Sequence, residues 1–386
     1  MLDSARAEKL MEAEGVDALL ASSVNNVYYF TDYYAFEGGY AGNEIGALEA
    51  PFALKAIDKD PVLVLGAFDE GFYEGKSRCI YFGKSVGDPK EKIFTDLTPV
   101  DAVVKAISES GASGRIAVDP MFPLGMALQL EKRIPKVKLV SETKIFQSLR
   151  MVKTDEEVSR MRRAVEIVEY GNKVAYESLR PGMTEIEMVN EARAAVLTHY
   201  KSEAAHLEFG HMEVGNGVRS GRGAGTYPTD YALKKGDVVH LDAGLRYKHY
   251  VGDTCRDAVF QKASPEVIET HRVITAVQEK TLQALRPGIT TAEVYRIALA
   301  EIRRLGWTKF DSEMFGHSLG LSFHENPLII PSSDTVLEPN MVINVEIPVS
   351  PTKLGAFNME DTSVITRSGA ERLSRLPHDL YVLGND

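Results

Sequence analysis

Apolar side chains recur at helical spacing over residues 4–15, SARAEKLMEAEG, and Gly15 supplies the stop that such an amphipathic helix needs. The next run, VDALLASS, is apolar almost throughout and predicts a buried strand. In NNVYYFTDYYAFEGGY, residues 28–30 are expected as a core strand. Tyr33, Tyr34, Phe36 and Tyr40, set among glycines, are expected on a surface that meets a partner. PVLVLGAF, IYFG and RIAVD read as further strands, with a helix over residues 100–110 between the last two. This alternation predicts a small α/β domain over residues 1–150, closing near LVSETKIFQSLRMVKT.

The pattern then changes. Thr154 and Glu157 have capping-box spacing and open a long helix over residues 155–178, the expected start of a second domain over residues 151–386. LRPGMTEIE at 179–187 recurs as LRPGITTAE at 285–293, 106 residues later. Each copy ends one helix with Pro-Gly and begins another with a Thr-x-x-Glu cap. Helices followed by strands in both halves predict a duplicated, pseudo-symmetric domain, and the fold class is α+β. Between the copies, HLEFGHMEVGNGVRSGRGAGTYPTD (206–230) predicts strands joined by flexible loops. It lacks the Lys-Ser/Thr of a phosphate loop. Arg219 and Arg222 could bind an anionic group or simply face solvent.

Composition narrows the function classes. A chain of 386 residues, 44% hydrophobic and 26% charged, is an ordinary globular protein of about two domains. The formal charge of −11 argues against non-specific nucleic-acid binding, which needs a basic face. Two cysteines, Cys79 and Cys255, give no disulfide framework. No apolar run approaches 18 residues and no leader pattern opens the chain, so no membrane association and a cytoplasmic location are expected. Cys255 is expected as a small buried group.

The chemistry lies in acids placed within apolar strands. Residues 234–257, KKGDVVHLDAGLRYKHYVGDTCRD, carry Asp242 and Asp253 on two strands, with Gly244 expected to permit the turn between them. MVINVEIPV contains Glu346 and FNMEDTSVIT contains Glu360. An acid in the middle of a buried strand is costly without a partner. Phe315 to Pro327, FGHSLGLSFHENP, adds His317 and His324 in a glycine-rich setting. Four carboxylates and His317 make a set suited to two divalent metal ions, which need a bridging carboxylate when about 3.5–4 Å apart.

LDAG, GDTCR, GHSLG, NVEIP and MEDT, in this order, resemble the motifs of the pita-bread metallopeptidases: methionine aminopeptidase, aminopeptidase P, prolidase and the metal-free relative creatinase. Residues 26–33 also resemble the N-terminal domain of the prolidase-like members. The resemblance implies a small N-terminal α/β domain before a pita-bread catalytic domain, a homodimer, and Asp242, Asp253, His317, Glu346 and Glu360 as ligands of two metals. Mn, Co, Fe and Zn all suit such a set. It implies hydrolysis of Xaa-Pro peptides through a metal-bridging hydroxide, with Glu346 taking the water's proton and His324 hydrogen-bonding substrate. Arg256 is expected to hold a ligand carboxylate in place. The alternatives are a creatinase-like hydrolase or lyase of a small amide or C–N compound, and a non-catalytic binding protein. Two departures bear on substrate. Gly225 and Ala224 stand where prolidase-like enzymes carry a further histidine, and Leu328 stands where an arginine often follows the His-Glu-x-Pro motif. His211, and Arg222 or Arg219, are the candidates to compensate as substrate-binding residues. With both groups missing, a longer peptide or a non-peptide is expected in place of a simple dipeptide.

Overall fold

The computed structural model describes residues 2–34, 50–67, 69, 73–83, 95–222, 226–307, 312–349 and 353–384. Helix α1 (Ser4–Glu14) begins where the Asp3 side chain accepts the Arg6 amide. It ends at Gly15, whose φ of 61° is left-handed. Strands β1 (Ala18–Ala21) and β2 (Phe52–Ala56) are buried along their whole length. β3 (Val62–Gly66), β4 (Arg78–Phe82), β5 (Gly114–Val118) and β6 (Val137–Ser141) complete a six-stranded sheet in the order β4-β3-β2-β1-β5-β6. β2 runs antiparallel to both β1 and β3, and the other pairs are parallel. Helix α2 (Val24–Thr31) lies between β1 and β2 in the chain. Helices α3 (Pro99–Ser110), α4 (Leu124–Arg133) and α5 (Thr143–Met151) follow β4, β5 and β6.

Two expectations are corrected here. Residues 28–30 are helical, and α2 is buried around nearly all of its circumference: Asn26 to Thr31 are all buried, which erases the helical period. Tyr33 is not on a surface, since it is 7% exposed and packs edge-on against Tyr73. Tyr34 is half-buried against Tyr28, and Phe36 and Tyr40 lie outside the described residues.

Residues 1–150 form one unit and residues 151–386 a second. In the second, α6 (Asp155–Glu177) and α7 (Glu185–His199) precede β7 (Leu207–Asn216), β8 (Val238–Tyr247) and β9 (Tyr250–Phe260). Then α8 (Pro265–Ala284) and α9 (Thr291–Arg304) precede β10 (Gly316–Ser318), β11 (Glu325–Leu328), β12 (Val342–Glu346) and β13 (Glu360–Ile365). Helices followed by strands thus occur twice. Both capping boxes close, Thr184 with Glu187 and Thr290 with Glu293, and both threonines make an antiparallel bridge, to Ala232 and Val336. The main path of the curled sheet is β11-β10-β12-β13-β9-β8-β7. β14 (Ala370–Arg372) adds to β13, and β15 (Tyr381–Leu383) pairs in parallel with β9. This is a mixed α/β pita-bread domain.

Each half has its own core. α6 and α7 pack on Val239, Leu241, Ala243 and Leu245 of β8, while α8 and α9 pack with Ile343 and Val345 of β12. Because strand side chains alternate, the opposite face of β8 carries His240, Asp242, Gly244 and Arg246. The halves join where β9 meets β13 at one registered pair, Glu360 opposite Cys255.

Gly244 does not make the hairpin turn; it lies inside β8, opposite Asp253. The chain reverses instead at Lys248 and His249, with φ of 47° and 69°. On the helix-facing side of β9, Gly252 meets α6 so closely that a Cβ would run into the backbone of Ala164 and Val165. Gly252→Ala should therefore force β9 off α6 and cost about 1–3 kcal/mol. Thermal or urea unfolding should show a clear drop in midpoint, and an unchanged midpoint would refute this close-approach account.

Candidate metal centre

The strand register draws the acids together. Asp242 of β8 and Asp253 of β9 lie on one face of the hairpin, with Asp242 opposite Cys255. Cys255 in turn stands opposite Glu360 of β13, and Glu360 stands opposite Glu346 of β12. His317 of β10 pairs with Asn344, two residues from Glu346. The five predicted positions therefore surround the junction of the halves. Donor atoms of Asp253, His317 and Glu360 lie within 4.8 Å of one another, as do those of His317, His324 and Glu346. His317 Nε2 is 3.7 Å from Glu346 Oε1 and 4.0 Å from Glu360 Oε1.

The imidazole of His317 is set for use as a ligand. Its Nδ1 lies 3.0 Å from the Ser318 carbonyl, which can only accept, so Nδ1 carries the proton and Nε2 presents a lone pair to the acids. Burial, with His324 nearby, depresses its pKa to about 4, keeping it neutral. The acids are held in turn. Asn344 Nδ2 donates to Glu360 Oε1 at 2.6 Å, and Asn358 Nδ2 to Glu346 Oε2 at 3.4 Å. Among the described residues, Glu360 Oε2 is buried without a hydrogen-bond partner.

Unneutralised, these groups cannot all be charged. Burial first, and then Asp242 and Asp253, push Glu346 up to about 8. Burial and Asp253 push Glu360 well above the carboxylate range, and burial raises Asp253. Asp242 moves the other way: burial alone would raise it, but the hydrogen bond and charge of His211, together with His240 and His317, lower it.

His211 reaches the aspartates through an irregularity. The β7–β8 register slips between Phe209 and Met212, and this bulge turns His211 inward. Its Nε2 lies 3.2 Å from Asp242 Oδ1 and 3.3 Å from Asp253 Oδ1. Burial opposes a charge there, but the two aspartates raise its pKa to about 11. In this structure His211 therefore serves the acids themselves. Gly244 makes room, since a Cβ there would meet the Phe323 ring and His211 Cε1.

Other expectations fare unequally. His324 is exposed, with its ring centroid 4.0 Å from that of His317. Arg219 is not available to an anion. It is locked onto buried Glu185 and donates to the Val214 and Tyr227 carbonyls at 3.0 and 2.8 Å. The Arg222 side chain, Ala224 and Gly225 lie outside the described residues. Arg256 touches no predicted ligand carboxylate; it donates to the Glu360 carbonyl at 2.7 Å and to Asp361 Oδ1 at 2.6 Å. It holds the backbone that carries Glu360. Leu328 sits opposite His317. Cys255 is fully buried, 3.8 Å from His240 Nδ1, and His240 Nδ1 also lies 3.2 Å from Asp257.

Sequence reasoning missed Lys153 and Glu325. Buried Lys153 donates to Ser318 Oγ at 3.1 Å and lies 3.8 Å from Glu325, whose Oε1 accepts the Leu321 and Ser322 amides, both at 3.1 Å. That clamp shapes the turn before His324. The missed signal is a charged residue beside a histidine whose neighbours are glycine and apolar.

Residues 159–367 match the model of metallopeptidase family M24, and residues 4–152 match the creatinase/prolidase N-terminal domain. The chain is 27% identical over 379 residues to a Xaa-Pro dipeptidase of Pyrococcus furiosus, covering 96% of this chain and 97% of that one. Its fold is similar to a Xaa-Pro dipeptidase from Bacillus anthracis, with TM-score 0.83, 21% identity and coverage of 98% and 99% of the two chains. It is also similar to an X-Pro aminopeptidase from Thermotoga maritima, with TM-score 0.81, 23% identity and coverage of 98% and 100%.

The shifts have a consequence for metal-free protein. A carboxyl whose folded pKa is raised stabilises the fold below its ordinary value, and that contribution is lost as pH rises through the folded pKa. For Glu346 the window runs from 4.5 to about 8. Glu360 and Asp253 act in the same sense, and so does raised His211 above its ordinary 6.5. Asp242, lowered, contributes fully above 3.8 and does not oppose the trend. Chelator-treated protein should melt at progressively lower temperature between about pH 5.5 and pH 8, and added divalent metal should flatten that slope. A flat or rising profile without metal would contradict the proposed charge crowding.

Proposed function

The chain belongs to metallopeptidase family M24, and on that premise we propose that it is a metal-dependent exopeptidase cleaving Xaa-Pro bonds, of the prolidase or aminopeptidase P type. One observation carries the reading: four carboxylates and a neutral imidazole converge at the junction of the halves, and among the described residues nothing hydrogen-bonds the buried Glu360 Oε2. A donor set of hard oxygens and one imidazole nitrogen fits divalent cations. Asp242, Asp253, His317, Glu346 and Glu360 are the residues that would hold two of them. Bound there, the cations would neutralise the acids, polarise a carbonyl and make a water acidic enough to be deprotonated near neutral pH.

The protein's own groups supply the rest. Glu346 is the least buried carboxylate beside His317 and is the group to take the proton of the attacking water. His324, exposed beside His317, is placed to hydrogen-bond the carbonyl oxygen as negative charge develops on it. Lys153 and Glu325 keep the turn before it in shape. Were Asp242 and Asp253 to hold cations, His211 would no longer be needed between them and would be the residue to meet substrate. Arg222 remains a second candidate for that task. A homodimer in solution is part of this reading. The creatinase-like alternative is kept alive by Gly225 and Leu328, which lack the groups expected there.

Asp253→Ala and Glu346→Ala should each reduce Xaa-Pro turnover by at least about three orders of magnitude, as loss of a metal or its base does. Both should lower bound metal measured by elemental analysis. Full turnover in either variant would remove the basis for this assignment.

A further inference from the structure

The face of β8 that carries Asp242 carries a cation two alternations further on, at Arg246. Its guanidinium carbon lies 5.0 Å from the centroid of the Phe323 ring, which covers Gly244 and meets the His211 ring edge-on, 4.6 Å between centroids. A single apolar ring therefore lies between His211, which contacts both aspartates, and the arginine. The guanidinium lies over that ring, and among the described residues its N–H groups make no hydrogen bond. Among the described residues the one acid near it is Glu208, at the 4.0 Å limit, and Glu208 is already engaged by His249 Nδ1 at 2.6 Å. The Arg246 side chain is 22% exposed, so solvent and a solute can reach it.

Distance and charge specify what this edge can take. Asp242 and Arg246 are four residues apart on one strand, about 13 Å between their Cα atoms. In a dipeptide, the terminal carboxylate stands only about 4 Å from the scissile carbonyl carbon. A dipeptide with its carbonyl at the acids and an extended arginine can close that span together. A planar carboxylate also matches the two-pronged edge of a guanidinium. The Phe323 ring, flanked by Gly210 and Gly244, gives an apolar floor on which a proline ring would lie.

We infer that Arg246, seated on Phe323 beside the candidate metal centre, receives the terminal carboxylate of the substrate and selects dipeptides with a free carboxyl end. This rests on the Xaa-Pro reading, and it reverses the expectation drawn from Leu328 that a simple dipeptide lacks a grip.

The test compares Ala-Pro with its C-terminal amide, using metal-loaded wild type, R246M and R246K whose melting temperatures have been matched. Wild type should favour the acid. R246M should raise KM for Ala-Pro by about 10–100-fold with kcat little changed, the loss expected for a charge-assisted contact, and should bring the acid-to-amide preference near one. R246K should fall between. Equal losses on acid and amide, or no change in their ratio, would overturn the inference. Calorimetric titration with proline and prolinamide reads the same contact without turnover. If wild type cleaves neither peptide yet prefers proline through Arg246, the Xaa-Pro reading fails and the carboxylate site stands. If wild type cleaves Ala-Pro and R246M still discriminates proline from prolinamide, the reverse holds.

Discussion

Like charges in a shared, water-poor space set the terms for the whole second unit. Two carboxylates about 4 Å apart repel by about 4 kcal/mol at the effective dielectric of a protein site, and here four acids crowd one junction. The fold tolerates them because hydrophobic cores on the far side of each half hold the strands regardless of what the near side carries. Without cations, the relief comes from protons: Glu346 and Glu360 retain theirs, and His211 is drawn between the two aspartates as a positive charge. Every neighbour of the site can be read as a response to this one electrostatic problem.

The responses differ with distance. Asn344 and Asn358 donate to the carboxylates themselves. The Ser318 carbonyl fixes which nitrogen of His317 is bare. Farther out, Arg256 and Asp361 form a buried ion pair that grips the Glu360 backbone, and the other Arg256 donor contacts go to the Cys255, Pro377 and Leu376 carbonyls. A buried pair of this kind is weak evidence for stability, yet it keeps one geometry at the place where the ligands meet.

Much of this was legible in the sequence. Acids within apolar strands could be identified because burial of an unpaired charge is costly, and the duplicated LRPG segments gave the two halves because capping boxes have a fixed spacing. What escaped detection follows one physical pattern. α2 was hidden because a helix buried all round has no polar face to mark its period. Gly244 was taken for a turn because the sequence does not show that a glycine inside a strand is making room for Phe323. His211 owes its place to a bulge in β7, which changes which face a side chain takes, and Arg219 owes its role to Glu185, 34 residues away. Arg246 could have been found from alternation along β8, once Gly244 is counted as strand.

The seam between the halves has a further implication. Within a regular ladder the backbone supplies the bonds, so the order of side chains matters little to the pairing itself. At the meeting of β9 and β13 only one residue pair is in register, and side chains do the joining: Thr254 Oγ1 donates to the Glu360 carbonyl at 3.3 Å, Thr362 Oγ1 to the Asp253 carbonyl at 3.1 Å, and Arg256 to the Glu360 carbonyl. Mutational tolerance is therefore uneven across the sheet. Where the ladder is regular the backbone carries the pairing, whereas the seam demands particular hydroxyls and one guanidinium whose contacts there are with backbone carbonyls. An engineer grafting these five donors onto another scaffold would have to carry the stitching along with them.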